Sequence, residues 1–235
     1  YYRPAREVGG DFYDFIDLPD GRIGVVIGDV TDNGVPAALV MATTQGLLRE
    51  ITQQAVEPGE VLARVNDRLV GDIPANMFVT CQYLVFDPPT GRLTMANAGH
   101  NLPFLRLPDD VAEIRATGLP LGLIAGTTYD QIDLTVPEGA CLLLHSDGLA
   151  EARNAAGELF GFPRVGAVVG SYASGACLVD GLVDELEQFA ADPTIMDDDV
   201  TLVALQRDAS APSSSGSGRF RVLDDFSVAS ALGNE

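Results

Sequence analysis

Between residues 77 and 147 the chain runs through five β-type stretches with no helical pattern among them. These are "MFVTCQYLVFD" (77–87), "GRLTMANAG" (91–99), "LPFLRL" (102–107), "YDQIDLTV" (129–136) and "ACLLLHSD" (140–147). "DPPTGR" separates the first two, with Pro and Gly where a tight turn needs fixed or positive φ, so these strands pair as an antiparallel hairpin. One further strand, "RIGVVIGD" (22–29), precedes the meander and another, "DVTLVALQ" (199–206), follows it. Helical spacing occurs in three places. From Pro36, the residues Val40, Thr44, Leu47, Leu48 and Ile51 share a face, with Pro36 in the first turn where its missing N–H costs nothing. Residues 58–72 carry Val61, Leu62, Val65 and Leu69, and residues 174–190 carry Leu178, Leu182, Leu186 and Phe189 behind a capping Ser174. Strands that succeed one another without crossover helices cannot build a doubly wound parallel sheet. The order predicts an α+β fold of antiparallel sheets layered with helices.

Charge narrows the partners. Fourteen basic residues, all Arg, stand against 34 acidic ones, for a net charge of −20. Such a chain lacks the basic face that nucleic acid or an anionic lipid surface requires. Cys81, Cys141 and Cys177 sit in apolar surroundings without CxxC spacing and read as buried thiols of a reducing, cytoplasmic compartment. No apolar run approaches the ~20 residues of a membrane span, and no signal peptide opens the chain. The sequence begins at Tyr1, on a strand-like segment and without an initiator Met. It is therefore expected to be part of a longer protein, whose upstream region holds a sensor or a membrane anchor. Packing residues end near Gln206. The expected organisation is a folded domain over 1–207, a Ser/Gly/Pro linker over 208–219, and a tail over 220–235 that reads as a short element, the start of another domain or a docking peptide.

Several apolar runs end in a carboxylate. Asp29 closes "VVIGD", Asp147 follows "LLLHS", Asp11 and Asp14 lie in "GGDFYDF", and Asp197, Asp198 and Asp199 stand at the mouth of the last strand. An ionised carboxylate at a partly buried strand end is costly unless a cation pairs with it. Lys is absent and Arg is sparse nearby, so the natural counter-ion is a metal. Ligation by Asp oxygens without His or Cys favours hard divalent ions, Mg²⁺ or Mn²⁺, over zinc. Asp14, Asp17, Asp20 and Asp197 read instead as turn formers or helix caps. From composition and spacing alone, the chain is an α+β sandwich with a divalent-metal site.

Six motifs in order carry a resemblance: "VGGDFYDF", "GDVTDNGVPAALVMA", "NAGHNLPFL", "GLPLGL", "LLHSDGLAEARNAAGELFG" and "DDDVTLVAL". Together, over about residues 1–207, they resemble the metal-dependent serine/threonine protein phosphatases (PPM family), in the bacterial branch of the SpoIIE and RsbU type. The resemblance implies a four-layer αββα sandwich with a two-metal cluster of Mn²⁺ or Mg²⁺ at one end. It implies Asp29 as the carboxylate bridging both ions, with the Val30 carbonyl, Asp11, Asp147 and Asp198 as further ligands. Asp198 is preferred over Asp199 only by alignment to the D-D-x-T pattern. Two such ions share a water and lower its pKa for in-line attack on phosphorus, so no Cys or Ser nucleophile is needed. The implied substrate is a phosphorylated anti-anti-sigma-type protein in a partner-switching circuit, under an upstream regulatory domain that acts through dimerisation or a helical linker.

Two departures bear on this. Relatives often read T/S-G-H/K-G where this chain has Thr31-Asp32-Asn33-Gly34. A basic side chain is lost there, and Asp32 and Asn33 are expected to cap the helix from Pro36. The changed turn also motivates an alternative, a catalytically weak module that acts by protein binding. Eukaryotic relatives carry a His as general acid two residues after the bridging Asp, where Thr31 stands here. His100 is the tempting substitute, but it reads as a loop-holding residue, and His145 as core. Arg3 and Arg6, near Asp11, are either phosphate contacts or exposed terminal charge.

Overall fold

Two antiparallel sheets of five strands absorb the apolar runs. In this computed structural model, residues 1–54, 57–172, 175–190 and 197–207 are described. The strands are β1 (Tyr2–Arg3), β2 (Phe12–Asp17), β3 (Ile23–Val30), β4 (Val79–Asp87), β5 (Arg92–Ala98), β6 (Phe104–Arg106), β7 (Val111–Glu113), β8 (Gln131–Thr135), β9 (Cys141–His145) and β10 (Val200–Gln206). The helices are α1 (Val35–Ile51), α2 (Pro58–Leu69), α3 (Asp147–Glu151), α4 (Phe162–Ser171) and α5 (Gly175–Phe189). One sheet has the order β2-β3-β4-β5-β8 and the other β1-β10-β9-β6-β7. The hairpin expected at "DPPTGR" pairs β4 with β5 in antiparallel register, Asp87 opposite Arg92.

Three apolar clusters separate four layers. Val26 and Val30 of β3 face Val40 and Leu48 of α1 and Val61, Leu62, Val65 and Leu69 of α2. Val25 and Ile27, on the opposite face of β3, pack with Leu84, Met95, Leu142, Leu144 and Val203 between the sheets. Leu143 and Leu202 face Val165 and Val169 of α4 and Leu178, Leu182 and Leu186 of α5. Both faces of β3 and β9 are thus covered, which is why their sequences are continuously apolar rather than alternating. Each aliphatic side chain buried in this way contributes roughly 1.5–3 kcal/mol over exposure. The architecture is the expected αββα sandwich.

Several expectations are corrected. "FYDFID" forms β2 rather than a prelude to the first strand, and its Asp14 neither caps nor turns. Arg49 of α1 grips it with two charge-assisted hydrogen bonds of 2.6 and 2.7 Å. α2 ends at Leu69, earlier than expected, because Val70 is extended and Gly71 takes φ 91°. Asp32 and Asn33 do not cap α1. Gly34 is the N-cap, no side chain caps the helix, and the Asp32 carboxylate accepts instead from the Asn33 N–H. Asp32 itself has φ 75°. Asp tolerates this left-handed conformation better than most residues, and Gly adopts it freely, which accounts for the Gly expected there from the resemblance. Cys81 and Cys141 are buried as expected, but Cys177 is exposed on α5. α3, α4 and β7 carry no clear periodic signal. Ser174 and residues 208–235 lie outside the described residues. Among the described residues, no helix is long and apolar enough to cross a membrane.

Candidate active site

The register of the sheets puts four remote segments at one end of the sandwich. β2 and β3 are antiparallel, Phe12 opposite Gly28, so the start of β2 lies beside the end of β3. β9 and β10 are antiparallel, Leu202 opposite His145, so Asp147 lies beside the residues that open β10. Hydrogen bonds then join the two sheets. The Asp11 N–H donates to the Asp199 carboxylate at 3.2 Å, and the Thr201 hydroxyl donates to the Asp11 carboxylate at 2.6 Å. Ser146 fastens the other side. Its hydroxyl donates to the Asp199 carbonyl and accepts from the Thr201 N–H.

Small residues permit this approach. A Cβ on Gly148 would lie 2.1 Å from the Asp199 carbonyl oxygen, and one on Gly10 would lie 2.8 Å from the Val30 carbonyl oxygen and 3.2 Å from Asp29 Oδ1. The glycines of "GGD" and "SDG" are therefore what lets these backbones close on one another. Gly148→Ala is expected to cost about 1–3 kcal/mol through overpacking and to abolish divalent-metal binding. Gly166→Ala, whose Cβ would come no nearer than 3.5 Å to Phe104, is expected to be tolerated. Thermal melts and a Mn²⁺ titration of the two variants check this.

The electrostatics identify what the arrangement lacks. Burial first, then the charges of Asp11, Asp147, Asp198 and Asp199, push the Asp29 carboxyl up to about 9. Burial likewise pushes Asp11 up to about 7, against the hydrogen bonds from Thr201 and Ser146 that favour its anion. Asp147 and Asp198 are also raised, chiefly by burial. Among the described residues no salt bridge reaches Asp11, Asp29, Asp147 or Asp198. Among the described residues no group of three His, Cys, Asp or Glu side chains stands close enough to hold a metal ion without movement. The carboxylates feel one another's charge yet stay open, a pattern that suits hard divalent ions, which keep several waters. The donor set is all oxygen and in want of cations, so these residues fit the implied metals.

Asp198 and Asp199 differ sharply. Asp199 is 2% exposed and its carboxylate accepts the Ala5 N–H at 2.8 Å as well as that of Asp11, so both oxygens hold backbone. Asp198 is only partly buried, and its field reaches Asp29 and Asp147. Arg3 is turned to Glu187 on α5 at 3.2 Å. Arg6 is exposed, and its charge opposes the upward shift of Asp198. His100 is buried with Nδ1 2.9 Å from the Thr80 hydroxyl, and His145 stacks on Phe104 in the core. Sequence reading passed over Ser146, Thr201 and Thr80. The only signal was their nearness to the Asp motifs, and hydroxyls beside turns are too common to single out.

The family described as stage II sporulation protein E (SpoIIE) matches residues 19–208, most of the chain. The chain belongs to the SpoIIE family. Among its relatives, Protein IcfG of Synechocystis sp. is 30% identical, over 88% of this chain and 37% of that protein. The phosphoserine phosphatase RsbU of Bacillus subtilis is 31% identical, over 66% of this chain and 47% of that protein. The SiaA-PP2C domain of Pseudomonas aeruginosa superposes with a TM-score of 0.77 at 19% identity, over 88% of this chain and 85% of that one. This SpoIIE-family chain thus has the PPM phosphatase fold, in the RsbU branch, and spans less than half the length of these two curated relatives.

Proposed function

We propose that this SpoIIE-family chain is a metal-dependent phosphatase that removes phosphate from serine or threonine of a small anti-anti-sigma-type regulatory protein. The observation that supports the reading is that Asp11, Asp29, Asp147 and Asp198, from four separate segments, lie near enough to raise one another's carboxyls, with no salt bridge to any of them among the described residues. These carboxylates and the Val30 carbonyl would hold two Mn²⁺ or Mg²⁺ ions. Such a pair supplies a positive field for a phosphate dianion and lowers the pKa of water. Asp29, central among the charges, would serve both ions. Thr201 and Ser146 hold Asp11, and Asp199 ties down the chain from Ala5 to Asp11, so the donors are oriented before any ion arrives. Arg6, beside Asp198, is placed to meet a phosphoryl oxygen.

The two buried cysteines take no part. Burial raises the Cys81 and Cys141 thiols well above their usual range, which leaves neither as a thiolate for a covalent route. His100 is not a proton donor, since burial drives its pKa down to about 3 and the ring is neutral at working pH. Water therefore protonates the departing alkoxide.

The test is release of phosphate from a phosphoseryl protein with and without Mn²⁺. Turnover without divalent ions, or turnover confined to nucleotides and sugar phosphates, would count against the reading. The two neighbouring aspartates are expected to separate. Asp198→Ala loses Mn²⁺ binding and turnover at nearly unchanged melting temperature. Asp199→Ala lowers the melting temperature, because two backbone N–H groups lose their acceptor at about 1–3 kcal/mol each.

A further inference from the structure

The peptide group between Asp29 and Val30 joins two of the proposed cation donors, a side-chain carboxylate on one side and a main-chain carbonyl on the other. Its orientation fixes the two Cα atoms from which these donors project. It is held from both ends by neighbouring strands. The Val30 N–H donates to the Gly10 carbonyl at 3.3 Å, and the Thr80 hydroxyl donates to the Asp29 carbonyl at 3.4 Å. His100 Nδ1 lies 2.9 Å from that hydroxyl, and in the tautomer with the proton on Nδ1 the ring donates to it and leaves the hydroxyl hydrogen for the Asp29 carbonyl.

His100 is fixed in turn. Asn97 accepts from its N–H at 2.7 Å and donates to its carbonyl at 2.9 Å, and the same amide donates to Ala116. Gln82 donates to the next carbonyl, that of Asn101, at 2.6 Å. This is a costly thing to build into a core. The imidazole is 6% exposed, and its burial disfavours the charged ring. An apolar ring would fill the space without that penalty. What an apolar ring could not do is constrain a hydroxyl.

We infer that Thr80 and His100 are a positioning pair, which fixes the Asp29–Val30 peptide unit and through it the spacing of two cation donors. The inference rests on the metal-site reading above. Neither residue touches substrate. Loss of the hydroxyl should loosen the site for ions before it affects contact with the phosphoprotein.

Thr80→Val keeps the side-chain volume and removes the hydroxyl, whereas Thr80→Ser keeps the hydroxyl. Mn²⁺ titration by calorimetry without substrate, and nitrogen-15 spectra of the His100 ring in metal-free protein, are the readouts. Thr80→Val is expected to weaken Mn²⁺ about tenfold, the usual cost of losing a partner behind a metal ligand, and to shift the Nδ1 resonance. KM for phosphoprotein at saturating Mn²⁺ should be unchanged, and Thr80→Ser should restore both the affinity and the resonance. Wild-type Mn²⁺ affinity in Thr80→Val overturns the inference, as does a Thr80→Ser variant as weak as Thr80→Val. Asp29→Ala separates the two readings. If it binds Mn²⁺ like the wild type, the ligand assignment and the positioning pair fall together. If it loses Mn²⁺ while Thr80→Val keeps it, only the pair is overturned.

Discussion

Asp29→Ala is expected to abolish Mn²⁺ binding, cut phosphoseryl hydrolysis by about a thousandfold or more, and raise the melting temperature of the metal-free protein. The first two effects follow from its place among the charges. Asp29 feels Asp11, Asp147, Asp198 and Asp199 together, and the proposed function makes it a ligand of the ions. Losing several kcal/mol of charge stabilisation in the transition state is about a thousandfold in rate. The third effect has the opposite sign from an ordinary core truncation. Without metal, the buried group must keep a proton that an unfolded Asp releases near pH 4, and its removal relieves that cost. Calorimetry, phosphate release and melts in chelator measure the three. Wild-type turnover in the variant would remove Asp29 from the mechanism. A lower melting temperature in chelator would mean that the carboxylate has a stabilising partner and is not waiting for a cation.

The metal-free protein is also expected to lose stability as pH rises from about 6.5 to about 9; below that range buried His100 and His145, which take up protons on unfolding, oppose the fall. Folded Asp29 keeps its proton to about 9, whereas an unfolded Asp releases it near pH 4. Between those values the unfolded state binds fewer protons than the folded one, so stability falls with rising pH. Asp11, raised to about 7, steepens the lower part of this window, and Asp147 and Asp198 act in the same direction. Asp20, lowered by its hydrogen bond from Arg22, acts oppositely, but only at acid pH below the window. Saturating Mg²⁺ should flatten the slope, since ions that bind only the folded carboxylates replace the protons. Urea denaturation across this range, in chelator and in Mg²⁺, reads it out. Flat or rising stability in chelator between pH 7 and 9 would contradict the arrangement.

Much of the layering was legible because burial writes a pattern. The helices from Pro36 and from Pro58 showed one apolar face, and the uninterrupted apolar runs of β3 and β9 are those of strands covered on both sides. "DPPTGR" named its own hairpin. What escaped the reading lacked such a pattern. β2 alternates Phe12, Asp14 and Ile16 on one face, and the charge in the middle breaks the apolar period until Arg49 neutralises it. α4 carries Pro163, Gly166 and Gly170, which look like breakers, although Pro163 falls in the first turn where no donor is needed. Cys177 lies on α5, an amphipathic helix, and apolar neighbours in sequence say little about which side of such a helix a residue faces.

The sequence by itself determined which carboxylates end apolar strands and the family to which their motifs belong. Periodicity and composition are local, and both can be read one segment at a time. Only the tertiary structure distinguished the surroundings of Asp198 and Asp199, since they depend on which oxygen meets the N–H groups of Ala5 and Asp11 almost two hundred residues away. It alone revealed Thr201, Ser146 and Thr80 as the hydroxyls around the site. A hydroxyl acts through direction and distance, and those are fixed by strands that adjoin in space and not along the chain.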